Sequence, residues 1–221
     1  MRVAIMGAGN VGVSIARELI AHGHETLLIE RDPHAIRSDT VPQADWLLAD
    51  GCELDALVEA DLSICDVSVA ATGDDRANLV HALLAKTEFG VPRTIARVNH
   101  PDNEWLFDDQ WGVDVAVSTP RIMAALVEEA VTVGQVVSLL KFRGGTVNLV
   151  ELTLPPTSPA VGRTVGEVVL PGDAVLVALV RDDRVGPPGT DAVLQGNDEL
   201  FFLIEGRYVE ALTRALAPAA A

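Results

Sequence analysis

Aromatic residues are scarce in this 221-residue chain, which carries three Trp, one Tyr and five Phe. Apolar residues still make up 49 % of it, so a sizeable core is available and must be aliphatic. Cations are also few: 16 Lys and Arg stand against 32 Asp and Glu, a net charge of −16. Such a chain is repelled by phosphate backbones and by anionic lipid, which argues against direct binding to nucleic acid or to a membrane surface. No apolar run reaches the ~20 residues that a spanning helix requires. A strand expected as early as residue 3 leaves no room for a leader segment. Cys52 and Cys65 are the only cysteines. In a chain read as leaderless they are expected as reduced thiols, in keeping with a cytoplasmic protein.

What is present is a stretch near the start, "VAIMGAGNVG", residues 3–12. Four apolar residues feed a turn, Gly7-Ala8-Gly9-Asn10-Val11-Gly12, which opens an amphipathic helix bearing Val11, Ile15, Ala16, Leu19 and Ile20 on one face. In such a turn the first glycine permits the bend. The second admits a pyrophosphate to the backbone, and the third lets helix and strand pack closely. The helix start then offers free N–H groups and a positive dipole end to the phosphates. A triple-glycine motif alone is weak, and its position between a strand and a helix is what gives it weight.

Short apolar runs recur at 26–30, 46–49, 67–71, 94–98 and 113–117, with helical stretches near 53–60, 75–89 and 101–109 and a further helix starting at Pro33. Strands and helices in this order predict an α/β fold, a Rossmann-like doubly wound parallel sheet. Ser118-Thr119-Pro120 then caps a helix over 120–133 whose apolar face is wide. That face suits packing on a second chain, or on its own sheet. Beyond it the pattern changes to alternating strands, "VNLVELTL", "AVLVALVR" and "ELFFLIEG", separated by Pro-rich turns and closed by the helical "RYVEALTRAL". The expected domains are 1–134, nucleotide-binding, and 135–221, a smaller α+β regulatory subdomain, joined near 134–145.

Ligands of parallel sheets bind at the carboxyl ends of the strands, and the residues there are the candidates. Glu30 ends the second strand, where a carboxylate accepts both ribose hydroxyls of an adenosine and repels a 2′-phosphate, favouring NAD over NADP. Arg31 follows and tempers that preference. Asp32 either faces the same way or caps the helix at Pro33. Asp50, Gly51 and Cys52 follow the third strand, where an adenine would rest, although Cys52 also suits simple packing. Thr72 and Gly73 end the fourth strand. Arg97, a ligand or an ordinary ion-pair partner, stands at the end of the fifth with Asn99. Of the five histidines only His100 is placed for catalysis, and a solvated loop histidine accounts for it as well. No metal-spaced cluster or nucleophile elbow is present.

The ordered set "GAGNVG", "LLIERD", "ADGCELDAL", "AATGDDRANL", "ARVNHPDNEWL" and "GVDVAVSTPRIMA", followed by "TVGEVVLPGDAVLVALVRDD" and "QGNDELFFL", resembles the regulator-of-potassium-conductance family, and within it the Trk/Ktr-type subunits of bacterial potassium uptake. The resemblance spans essentially the whole chain. It implies an N-terminal Rossmann domain that binds NAD(H) or ATP/ADP, with Gly7, Gly9, Gly12, Glu30, Asp50, Thr72 and Arg97 at the positions of nucleotide contacts. It also implies a ring-like homo-oligomer, with the 120–133 helix as its dimer element, acting on a separate transmembrane cation-transporter subunit. The protein would reach the inner membrane only through that partner. Members tuned to ATP often carry arginine where this chain has Asn10, which leans the ligand toward NAD(H). An NAD-dependent oxidoreductase is the alternative. A redox-sensing transcription factor is disfavoured by the charge and by the lack of a basic DNA-reading helix.

Overall fold

The computed structural model describes residues 1–131, 134–142 and 146–216. The last two residues of the expected 120–133 helix, and 143–145 of the expected junction, lie outside the described residues. The chain divides into two compact units, Met1–Pro120 and the part from Arg121 onward.

In the first unit six strands, β1 (Arg2–Met6), β2 (Glu25–Glu30), β3 (Asp45–Leu48), β4 (Val67–Ala70), β5 (Arg93–Val98) and β6 (Val115–Ser118), form one sheet in the order β3-β2-β1-β4-β5-β6. Every pairing is parallel. The doubly wound α/β expectation holds. Buried on both faces, β1 is apolar from Val3 to Met6, the signature of a strand in a parallel sheet, and β4 is equally buried with Ser68 as its one polar residue. Helices α1 (Asn10–Ala21), α2 (Leu54–Glu59) and α3 (Asp75–Thr87) connect the strands. The order reverses between β1 and β4, and the turns leaving these two strands flank a topological switch point.

Two expected helices are reduced. The one at Pro33 is a single 3-10 turn, Pro33–Ala35, because "IRSDTVPQAD" supplies no apolar period to extend it. The one over 101–109 is a pair of 3-10 segments, Pro101–Leu106 and Asp109–Trp111. Its apolar residues Trp105, Leu106 and Phe107 are consecutive rather than spaced for one helical face.

Helix α4 (Thr119–Val131) starts at the expected cap and runs from the end of the first unit into the second. Met123, Leu126 and Val127, three and four residues apart on its surface, are each more than half exposed. The second unit holds a five-stranded antiparallel sheet in the order β10-β9-β11-β8-β7, built from β7 (Val137–Lys141), β8 (Val147–Thr153), β9 (Val175–Arg181), β10 (Arg184–Gly186) and β11 (Glu199–Glu205), with α5 (Val209–Leu216) after it. Alternation along β8 and β11 sends Val150, Leu152, Leu200, Phe202 and Ile204 into a core closed by Leu212 and Leu216 of α5. Strands β7 and β10 extend the sheet beyond the three expected from sequence. β10 is reached through Asp182 and Asp183, both with positive φ, as a tight two-residue hairpin requires.

Candidate functional site

A cleft of about 690 Å³ opens at the switch point of the first unit. Its floor is the glycine turn. Gly7 has φ +99°, and a Cβ there would lie 2.9 Å from Thr72 Cγ2, so the turn after β1 presses on the turn after β4. A Cβ on Gly12 would lie 1.9 Å from the Gly7 carbonyl oxygen. That position is closed to any side chain. Around Gly9 nothing stands within 4 Å of an added Cβ, so its backbone faces open space. Helix α1 begins at Asn10 with no side-chain cap and no acidic residue in its first turn. Its leading N–H groups and dipole end are therefore available to an anion.

The carboxylate at the end of β2 is held by backbone. Glu30 Oε2 accepts the Ala8 N–H at 2.8 Å and Oε1 accepts the Asp32 N–H at 3.0 Å. Each oxygen retains a lone pair for a hydroxyl donor, and the geometry suits a ribose diol. Asp32 itself accepts the His34 N–H at 2.9 Å and caps the 3-10 turn, the plainer of its two readings, while also lining the cleft. Arg31 reaches Asp50 at 3.9 Å, an exposed pair of little energetic weight.

Opposite, the Asp50 side chain accepts the Cys52 N–H, and the Gly51 carbonyl accepts a hydrogen bond from His81 Nδ1 at 2.8 Å. Since a carbonyl only accepts, Nδ1 carries the proton, and Nε2 accepts the Ser68 hydroxyl at 2.7 Å. His81 is 1 % exposed, and burial lowers its pKa, so it stands neutral as a strut under the Gly51 loop. Burial, then Asp50, push the Cys52 thiol up to about 11, so it carries no thiolate chemistry.

Asn78, on the inner face of α3, organises the far wall. Its Oδ1 accepts from the Thr72 N–H and hydroxyl, and its Nδ2 donates to the carbonyls of Thr72 and Arg97. One buried amide thus ties the ends of β4 and β5 together. Asp75 does the same for the loop after β5, accepting from Asn99, the His100 N–H and Asn103. Burial pushes its pKa up, but these donors outweigh the burial and leave it below the usual carboxylate value. Arg97 points into the cleft with its buried Nε unpartnered among the described residues, a donor suited to an anionic ligand.

Of the residues expected at the site, the cleft brings together Gly7, Gly9, Asn10 and Val11 with Glu30 and Arg31. Asp50, Gly51, Thr72, Gly73 and Arg97 complete the expected lining. Ala8, Gly12 and Cys52 lie outside it: Ala8 anchors Glu30, Gly12 packs on Gly7, and the Cys52 sulfur sits 3.6 Å from the Ala77 carbonyl. Sequence reasoning missed Met6, Ile29, Ala35, Ala49, Ala71, Asp74 and Ala77 of the lining, and the Asn78, Asp75 and His81 supports. The available signal was polar residues on the inner face of an amphipathic helix. His100 lines another cleft with Asp75 and Asn103, which adjoins the first through Gly73 and Asp74. No group of His, Cys, Asp and Glu among the described residues is arranged to hold a metal, and no described helix is long and apolar enough to cross a membrane.

Family profiles match over most of the chain: the TrkA-N domain over residues 3–119 and the TrkA-C domain over 149–217. A Trk system potassium uptake protein TrkA of Mycobacterium tuberculosis is 54 % identical over 218 residues, 99 % of both chains. A TrkA homolog of Methanothermobacter thermautotrophicus is 33 % identical, covering 97 % of this chain and 98 % of its own. Among solved structures, a GsuK channel bound to NAD matches 99 % of this chain and 40 % of that one, with TM-score 0.70 at 18 % identity. A GsuK structure bound to ADP matches 61 % of this chain and 35 % of that one, with TM-score 0.52 at 16 % identity. These two likenesses are of fold.

Proposed function

The chain belongs to the TrkA family, and from that premise we propose that it is a cytoplasmic, nucleotide-sensing regulatory subunit of a potassium-uptake system. In this reading it binds NAD(H), with ATP or ADP as competing ligands, and gates a separate transmembrane subunit through which alone it meets the inner membrane. The relatives are named for potassium uptake and for no reaction, which supports a regulator and not an oxidoreductase. The observation that carries the nucleotide reading is the Glu30 carboxylate, fixed by the Ala8 N–H of the glycine turn with lone pairs left for a ribose. The NAD-bound and ADP-bound fold neighbours support the ligand class.

The first domain, 1–134, takes the ligand, and 135–221 is the regulatory subdomain. Phosphates lie on the Gly9–Val11 backbone and toward Arg97, the adenine lies toward Asp50 and Gly51, and Thr72 and Gly73 close the site. Exposed Met123, Leu126 and Val127 support assembly of a homo-oligomer through α4. A ligand regulates only by binding two states of such an assembly unequally.

Thermal unfolding with NAD, NADH, NADP, ATP and ADP tests the binding. A ligand at about 100 times its Kd adds about 2.7 kcal/mol and raises Tm by several degrees. NADH is expected to give the larger shift. No shift with any of the five contradicts the reading.

A further inference from the structure

A second cavity, of about 260 Å³, adjoins the nucleotide cleft and shares Gly9, Asn10 and Ala35 with it. It runs down the outer side of α1, where Asn10, Ser14 and Arg17 succeed one another at helical spacing, and is closed by the 35–40 segment carrying Arg37. Its lining includes two arginines and no acidic residue. That is unusual in a chain with twice as many acids as bases. Arg31, Arg76, Lys86, Arg181 and Arg207 each pair with an acid. Among the described residues Arg17 and Arg37 do not, nor do Arg93, Arg97, Arg184 and Arg214, so what sets Arg17 and Arg37 apart is that they line one cavity. Arg17 donates through Nε and Nη2 to the Thr40 carbonyl, which fixes its plane and leaves its other donors open. The 37–40 turn is itself closed by Thr40, whose N–H and hydroxyl both donate to the Arg37 carbonyl. The start of α1, uncapped and free of acids, adds its positive end.

We propose that this cavity is a phosphate subsite, formed by Arg17 and Arg37 with Asn10 and Ser14. Guanidinium groups bind phosphate oxygens through paired, charge-assisted hydrogen bonds, and two arginines lining one cavity without a carboxylate suit a dianion. The cavity lies at the ribose end of the nucleotide cleft. It includes Ala8, whose N–H holds Glu30, and excludes Thr72, Gly73 and Arg97. Its phosphate therefore arrives by one of two routes: attached to the adenosine ribose, as in NADP(H), or as free inorganic phosphate. On the first route the arginines offset the repulsion from Glu30. The first route rests on the nucleotide reading above, and the second does not.

Calorimetric titration of the whole protein with NADH, with NADPH and with inorganic phosphate at constant ionic strength tests this, using wild type, Arg37→Gln and Arg17→Gln. Either substitution is expected to weaken NADPH or phosphate about tenfold. NADH affinity should stay within about twofold, which also reports that each variant is folded. Arginine-dependent loss confined to NADPH identifies the ribose-borne phosphate, and loss with phosphate alone identifies the free anion. If neither NADPH nor phosphate responds to either substitution, or neither binds the wild type, the proposal is wrong. Should none of NAD, NADH, NADP, ATP and ADP bind, the nucleotide reading falls and the phosphate titration alone decides the subsite, with circular dichroism reporting the fold.

Discussion

Glu30 Oε2 lies 2.8 Å from the Ala8 backbone nitrogen and accepts its hydrogen bond, so the residue we propose takes the ribose also fastens the glycine turn to the end of β2. The two duties separate by substitution. Glu30→Gln keeps one acceptor for Ala8 but loses the charge and half the acceptor capacity for a diol. It should fold with a stability change of about 1 kcal/mol and lose most of the NADH-induced rise in Tm. An undiminished NADH response in Glu30→Gln would remove Glu30 from the ribose site.

Gly9 and Gly12 should fail in different ways. Gly9 has open space around it and an ordinary negative φ, so Gly9→Ala should unfold at nearly the wild-type temperature while blocking nucleotide. Gly12→Ala drives a methyl into the Gly7 carbonyl oxygen. It should cost about 1–3 kcal/mol or prevent folding. Denaturant midpoints with and without NADH distinguish the two, and equal stability losses would contradict the packing described.

Asn78→Leu removes four hydrogen bonds that join the Thr72 turn to the Arg97 carbonyl. Leaving those groups unpaired in a buried site should cost on the order of 2 kcal/mol or more and weaken nucleotide binding, although Asn78 itself does not line the cleft. Urea unfolding and titration on the same sample check both effects.

His81 makes stability depend on pH in a defined direction. Burial lowers its pKa in the folded state below the ordinary 6.5, so the unfolded chain takes up the proton first as pH falls. The stability associated with neutral His81 is complete above about pH 6.5 and declines below it, by up to about 1.4 kcal/mol per pH unit until the folded pKa is reached. Urea midpoints at several pH values between about 5 and 8 should show this slope in wild type and a shallower one in His81→Gln.

Exposed Leu126 and Met123 on α4 give the assembly test. Light scattering should find wild type larger than a monomer, and Leu126→Glu smaller than wild type. A monomeric wild type at micromolar concentration would contradict assembly through this helix.

Much of the first unit was legible in the sequence because its inner parallel strands are buried on both faces and announce themselves as short, mainly apolar runs. The glycine turn and Glu30 were legible because each follows directly from its own strand. Asn78, Asp75 and His81 were not. Their side chains act on loops from other strands, and a polar residue on a helix reads as solvent-facing until the fold turns that face inward. The pairing of Arg17 with Arg37 was hidden for the same reason, since only the packing of α1 beside the 35–40 segment brings them to one cavity. Strand β10 was missed although Asp182-Asp183 is a hairpin signal, because three residues are too few to show an alternating pattern.

In the proposed function a nucleotide in the β1–β4 cleft is sensed and the signal is potassium flux. The most direct measurement is potassium uptake into liposomes carrying the transporter that co-purifies with this protein, with NADH added to wild type or to Gly9→Ala. NADH is expected to change the initial rate with wild type and to leave it unchanged with Gly9→Ala. An equal rate with and without NADH, in a sample where binding of NADH to the wild type is demonstrated, would contradict it.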